Sequence, residues 1–557
     1  MISALTRLAD WSARTPKRLW AVSFVLFFTI AASWSAATPL GASPDEHAHF
    51  IRAAAVARGQ INGTEVMVPH VVGGIPGEFS ETGVQLPEWY KELPKHHECY
   101  AWHAGTPASC APALGDSGKI VEVPTAAGRY HPAYYMLTGW PSLLVEGPSG
   151  LYLMRLMSAL LCSALLAGAV VTAAEWRRGR SLALLGVFTA ATPMLLFMAG
   201  MVNPSGGEIA AGILVWTALL SILMSPDPAL LNRRLARVGI GGLVLINIRP
   251  LGLIWFAGAV FFGLLLAQRG VLRSVLRRKA MWVWTGLLGV ATAGALAWAS
   301  THPDNSVIKV PWWLTTTEAA RKTFGYTEMY VHQMLGYFGW LDTPAPGFTW
   351  YVWLAVLAVI TGLGLVYGRK REAVALLGML VAIVAVPVAA QASQAEKIGM
   401  VWQGRYLLPF AVGLPLMAVL ICASRMPEKG FPVRRLVGFA AAGLALANAA
   451  AFFWVLRRFA VGVKGSWLPT GAHWAPPGGW VLWTGVYTLA ALALVVPVLM
   501  RDRLPDAPGL AAGPHGTGTD SGTGVDAGTG TDSATGPGAG TGTDTESGPR
   551  ARVTPVH

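Results

Sequence analysis

The sequence predicts an all-α, polytopic integral membrane protein of about twelve transmembrane helices. Composition is the first reason: 53% of the 557 residues are hydrophobic, only 13% are charged, and the mean hydropathy is +0.48. A soluble domain does not carry that balance. The second reason is that the apolar residues gather in runs long enough to cross a bilayer, and the third is that clusters of Arg and Lys alternate with those runs.

Taken in order, the first run is 19–40, preceded by Arg7, Arg14, Lys17 and Arg18. It lacks a small-residue cleavage site and reads as a retained anchor, with residues 1–18 cytoplasmic. Further runs lie at 151–174, 181–201, 207–224, 280–300, 350–367, 373–390, 406–424, 435–456 and 479–500. The run 238–267 is broken by Asn247-Ile-Arg-Pro250, so it fits two short helices meeting at a polar turn. Counting that run twice and leaving 132–147 at the interface puts Arg177-Arg178-Gly-Arg180, Arg233-Arg234, 269–279, Arg369-Lys-Arg371, Arg434-Arg435 and Arg501/Arg503 on the cytoplasmic side. The net charge of +13 is then mostly this bias, spread along a rim, and gives no nucleic-acid face.

The same alternation places 41–149 and 301–349 outside as large loops, within a membrane domain spanning 19–503. Cys99 and Cys110 share the first loop, where an oxidising compartment favours a disulfide over two free thiols. Cys162 and Cys422 fall inside spans and read as packing residues. Residues 504–557 are a Gly/Thr/Asp/Ser-rich stretch that cannot bury a core, and read as a disordered cytoplasmic tail.

Polar residues with chemistry to offer fall in four outer stretches. Directly after the first run come Asp45, Glu46, His47, His49 and Arg52, two adjacent carboxylates with histidines and an arginine at a membrane boundary. Pro44 can start a helical turn there, and an acidic helix cap is the competing reading of Asp45. Arg129, His131, Tyr134 and Tyr135 lead into an apolar stretch with Trp140, either a binding strip or an interfacial anchor. Glu208 follows Val202-Asn-Pro-Ser-Gly-Gly, with Ser205 at capping-box spacing as the bland alternative. Arg405 opens a span from outside, where snorkelling to headgroups would also account for it.

Five segments occur in a telling order: Pro44-Asp-Glu-His-Ala-His-Phe50, His131-Pro-Ala-Tyr-Tyr135, Asn203-Pro-Ser-Gly-Gly-Glu208, Tyr337-Phe-Gly-Trp-Leu-Asp342 and Gln403-Gly-Arg-Tyr-Leu-Leu-Pro409. Over roughly 15–500 the chain resembles the bacterial membrane family known as domain of unknown function 2142. That family is similar to the GT-C glycosyltransferases, multi-span enzymes that use polyprenyl-phosphate sugars outside the cytoplasmic membrane. In those relatives an acidic residue just after the first span is the catalytic base or binds a metal. The resemblance therefore implies a GT-C-like bundle, a polyprenyl-phosphate-linked sugar as donor, and an envelope glycan, lipid or protein as acceptor. It also implies a catalytic role for Asp45 and Glu46.

The chemistry asks for a base near the acceptor hydroxyl and cations for the departing phosphate. Asp45 and Glu46 supply the first; Arg405, Arg249, Arg129 and Lys397 are candidates for the second, with His49, Arg52, His131, Tyr134 and Glu208 as further substrate contacts. A Mg or Mn ion on Asp45, Glu46 and Glu208 is chemically reasonable but not required. His47 and His49, two apart, point to different helix faces and argue against zinc. A lipid-linked glycan transporter or flippase, and a non-catalytic envelope assembly protein, remain as other classes; no duplicated halves support the transporter.

Overall fold

The computed structural model describes residues 11–12, 14–72, 75–427 and 432–499. The 504–557 stretch read as a tail lies outside them. Every apolar run of the sequence is helical, because in lipid a helix alone satisfies the backbone of a single crossing segment. In chain order the helices that matter here are α1 (Pro16–Ala37), α2 (Glu46–Ala57), α3 (Ala133–Gly139), α4 (Gly147–Ala174), α5 (Arg180–Ala190), α6 (Pro193–Ala199), α7 (Pro204–Met224), α8 (Leu231–Ile248), α9 (Gly252–Leu265) and α10 (Lys279–Thr301). They continue with α11 (Thr316–Gly325), α12 (Thr327–Gly336), α13 (Gly347–Tyr367), α14 (Lys370–Ile398), α15 (Gly404–Ala411), α16 (Gly413–Arg425), α17 (Val433–Val461) and α18 (Trp480–Leu499).

Local chemistry sets the starts. Thr15, Thr192 and Asn203 each accept a backbone N–H from inside the following helix, and Pro16, Pro193 and Pro204 sit at the first positions. Pro193 also bends α5 against α6 by 66°. α7 is buried almost throughout and packs on α4, α8, α9 and α15, whereas α10 has no buried residue and packs chiefly on α8.

Eight helices among the described residues have the length and apolarity of a span, or nine with the bent α5–α6 pair, against about twelve expected. The difference sits in α8, whose first turns carry Arg233, Arg234 and Arg237, and in the shorter apolar helices α9 and α18. The chain is a multi-pass membrane protein. The break between α8 and α9 is where Asn247-Ile-Arg-Pro250 placed it, and Gly252 is required there: a β-carbon would meet the Leu245 carbonyl oxygen at 1.8 Å. Helix α3, seven residues with Met136 and Leu137 outward, is too short to cross.

Among the described residues two sheets accompany the helices, a two-stranded one pairing Tyr337–Phe338 with Thr343–Pro344 and a larger one in the first loop. The 41–149 segment carries an antiparallel sheet of β1 (Thr64–Val72), β2 (Ile75–Pro87) and β3 (Ile120–Thr125), joined by β4 (Val307–Ile308) from the second loop. Register runs from Thr64↔Gly83 to Val72↔Ile75, and from Thr82↔Thr125 to Pro87↔Ile120. In β1 Thr64, Val66 and Val68 alternate with Glu65, Met67 and Pro69, a short period-two pattern that the long apolar runs around it obscure. The sheet, α2 and α3 share a core around Phe50, Ile51, Val84, Leu86 and Tyr135, and that core holds the start of α2 in place.

Candidate active site

Asp45 is the residue before α2 and takes a left-handed backbone conformation, φ 61°. Its side chain makes no cap hydrogen bond to the helix it precedes. The carboxylate instead accepts from Arg405 Nη2 at 2.8 Å, across 360 positions of chain. Half the Asp45 side-chain surface is open, while Arg405 is buried with Nε and Nη1 unpartnered. Burial pushes the Asp45 pKa up, but Arg405, then His49, His47 and Arg249, pull it further down, so it lies below the ordinary carboxylate value. The pair is an ionised carboxylate facing open space, backed by a guanidinium with spare donors.

Glu46, the next residue, is fully buried and fully used. Arg155 reaches it through Nε at 2.8 Å and Nη2 at 2.6 Å, and the backbone N–H groups of Val202 and Gly41 donate at 3.1 and 3.2 Å. Arg155 spends its remaining donors on the Ser35, Thr38 and Pro39 carbonyls. Glu46 thus ties α1, α4 and the turn before α7 together and presents no free oxygen, which corrects its assignment as a catalytic group.

Arg249, at the α8–α9 break, donates to Ser205 Oγ at 3.0 Å and Tyr130 Oη at 3.3 Å. Its guanidinium lies 4.5 Å from the Tyr406 ring centroid, and Arg405 lies 5.2 Å from the same ring. Glu208 is buried 3.7 Å from Arg249, with both oxygens lacking a hydrogen bond. No capping box forms: Asn203 caps α7, and Ser205 serves Arg249. Arg249, Tyr130, Tyr406, Arg129 and His131 line a cavity of about 650 Å³ bounded by the α8–α9 break and the ends of α10 and α14.

A family model described as a predicted membrane protein family, DUF2142, matches residues 26–414, more than half of the chain. The chain belongs to that family. No curated protein matches it. Among solved structures it is similar to the crystal structure of ArnT from Cupriavidus metallidurans bound to undecaprenyl phosphate, with a TM-score of 0.41 and 14% identity over 86% of this chain and 76% of that one. A likeness of that size carries no argument about chemistry.

In this DUF2142 member the other sequence candidates divide. His49 accepts or donates at 2.8 Å with Tyr135 Oη, and burial lowers its pKa to about 3. Arg52 is buried and holds the Ile61 and Tyr130 carbonyls at 2.8 and 3.2 Å, so it shapes the Tyr130 loop, and it does not line the cavity. Tyr134 is buried against Ser158 Oγ at 3.0 Å, away from the cavity; its neighbour Tyr135 is the one beside His49. Arg129 pairs with Asp304 at the cavity wall, and His131 stands edge-on to Trp298 there. Lys397 is exposed on the last turn of α14 and does not line the cavity. Cys99 and Cys110 are joined in a disulfide.

The metal set does not fit. Glu46 is saturated by Arg155, Glu208 lies beside Arg249, and Asp45 beside Arg405; no cluster of three His, Cys, Asp or Glu among the described residues is arranged for a metal ion. The sequence reading missed Arg155, Tyr130 and Tyr406. An arginine inside the apolar helix α4 was a visible signal, since a buried charge demands a partner. The two tyrosines carried no signal beyond their place next to Arg129 and Arg405.

Proposed function

We propose that this protein is a GT-C-like glycosyltransferase that moves a sugar from a polyprenyl-phosphate donor to a cell-envelope acceptor, with Asp45 as the base. The observation that carries the reading is the Asp45–Arg405 pair: an ionised, half-open carboxylate on a strained residue, held by a buried arginine with two donors unspent. Non-glycine residues in the left-handed region cost energy and cluster where function needs them.

In the reaction the acceptor hydroxyl passes its proton to the Asp45 carboxylate as its oxygen attacks the sugar's anomeric carbon. The bond from that carbon to the phosphate oxygen breaks, and the lipid phosphate leaves with one more negative charge. The Arg249 guanidinium on the cavity wall, and the buried Arg405 guanidinium through its field, are the cations available to that charge. Tyr130 and Tyr406 hold Arg249 between their rings and keep its orientation. Glu46 acts on this chemistry only through the position of α2.

The same reading puts the 41–149 segment and the cavity on the external face of the cytoplasmic membrane, with both termini inside. Cysteines introduced as Gly118→Cys and Arg269→Cys test it with a membrane-impermeant thiol reagent on intact cells: Gly118→Cys should label and Arg269→Cys should not. The reverse pattern removes the external site. For the activity, the purified protein is given polyprenyl-phosphate sugars and envelope acceptors; turnover lost in Asp45→Asn supports the assignment, and undiminished turnover in that variant ends it.

A further inference from the structure

Three non-glycine residues among those described have a left-handed backbone: Asp45, Trp102 and Leu341. They belong to one neighbourhood. Two residues after Asp45, the His47 ring stacks on His97 at 5.3 Å and on Trp340 at 5.7 Å. His97 and Trp340 lie nearly parallel, 4.3 Å apart, and Trp340 is fixed by its indole N–H donating to the Gly41 carbonyl at 2.9 Å. Trp102 follows at 5.3 Å from Trp340, and unlike the others it is 63% exposed.

A large exposed indole in a strained conformation relaxes unless something holds it. Here the restraint is extensive. The Cys99–Cys110 disulfide closes the loop that carries it, and the Trp102 backbone N–H donates to Asp342 Oδ2 at 2.9 Å. Arg458, completely buried, bonds that same oxygen and the Tyr100, His103 and Thr106 carbonyls around Trp102. Asp342 and Leu341 come from the turn that also delivers Trp340. The fold therefore commits a disulfide, a buried ion pair and two strained residues to keep one indole face open at the far end of an aromatic row that starts at His47, two residues after Asp45.

We propose that this aromatic wall is the acceptor subsite and that the acceptor is a carbohydrate, whose ring lays its C–H face on Trp102 and extends along Trp340 and His47 toward the Asp45 carboxylate. The inference rests on the reading of Asp45 as the base. A sugar fits the wall because one face of it is C–H, matching the electron-rich indole face, while its edge of hydroxyls can meet the half-open Asp45 carboxylate. An alkyl chain reaching the same carboxylate would desolvate it without a hydrogen bond in return.

The test reads binding without turnover. The full-length protein carrying Asp45→Asn is mixed with mannotriose, cellotriose or maltotriose, and saturation transfer from protein to sugar ring protons is recorded by NMR. At least one trisaccharide should receive saturation; Trp102→Ala should weaken its binding at least tenfold, and Trp102→Phe by less than threefold. No transfer to any of the three, or equal binding in Trp102→Ala, overturns the subsite. Asp342→Asn, which leaves the indole in place but loosens its support, should give an intermediate loss with Trp102 still present; an unchanged affinity there removes the clamp from the argument. Loss or retention of turnover in Asp45→Asn bears on the base alone, so the two ideas fail separately.

Discussion

Asp45 and Glu46 are consecutive, equally charged and each paired with an arginine, yet Glu46 accepts four hydrogen bonds in a dry interior while Asp45 accepts one and keeps half its surface open. Their backbones differ in the same sense: Glu46 is the first residue of a helix, and Asp45 is forced left-handed just ahead of it. A carboxylate that is surrounded on all sides holds elements together, and one left under-coordinated at a strained position is available for chemistry. Asp342–Arg458 and Glu208–Arg249 repeat the contrast more weakly, the first tying a loop down, the second leaving both carboxylate oxygens without a hydrogen bond.

The largest effect expected is on turnover. Asp45→Asn keeps the size and tolerates the left-handed backbone but cannot take the acceptor proton, so activity should fall by roughly 10²–10⁴-fold with the fold intact. Wild-type turnover in that variant would erase the functional half of the contrast. Glu46→Gln should do the opposite: it leaves Arg155 buried without a counter-charge, at a cost of roughly 3–5 kcal/mol in stability. Thermal unfolding in detergent separates the two, and a Glu46→Gln protein as stable as wild type would mean that the buried pair is not structural.

The Asp45 side should also be the pH-sensitive one. Burial lowers the imidazole pKa of His47 to about 4 and of His49 and His97 to about 3. Between those values and the unfolded value near 6.5, the unfolded chain binds protons that the folded chain refuses, so stability must drop as pH falls through that window. Each group contributes on the order of 1 kcal/mol by pH 5.5. Replacing the three histidines by asparagine or glutamine should flatten the dependence of melting temperature between pH 7 and 5. A slope that survives all three replacements would locate the sensitivity elsewhere.

At the phosphate end, Arg405→Ala should weaken donor binding by roughly 2–3 kcal/mol, the range of a charge-assisted contact, and Arg405→Lys should restore part of it. Equal donor affinity in all three proteins would leave Arg405 as a partner of Asp45 and nothing more.

Much of this architecture is readable in the sequence, and what is missing has a common cause. Hydropathy finds the helices because each crossing segment is decided by its own twenty or so residues, and the Asn247–Pro250 break is legible for the same reason. Asp45, Arg249 and Arg405 stand out as charges in apolar surroundings. Which carboxylate meets which arginine is another matter: Glu46 finds Arg155 at 109 positions and Asp45 finds Arg405 at 360, and no local pattern encodes such distances. The sheet at 64–125 was hidden by composition, and Trp102 by being one of 23 tryptophans with nothing local to mark it.

The smallest effect is the most discriminating about why Asp45 sits where it does. A helix cap and a strained left-handed residue both favour aspartate and asparagine, so Asp45→Asn cannot tell them apart. Serine can. It caps helices about as well as aspartate, but its β-carbon and hydroxyl bring no tolerance of positive φ. Since the Asp45 side chain makes no cap bond and φ is 61°, Asp45→Ser should be as unstable as Asp45→Ala, both about 1 kcal/mol below Asp45→Asn. All three variants remove the charge facing Arg405, but asparagine alone keeps an oxygen placed to accept from Arg405 Nη2, so glycine, which lacks it, isolates the backbone effect. Asp45→Gly should recover the same ~1 kcal/mol, because glycine enters the left-handed region freely. If serine instead matches asparagine, position 45 is a cap, and the strain that marks it as functional is not there.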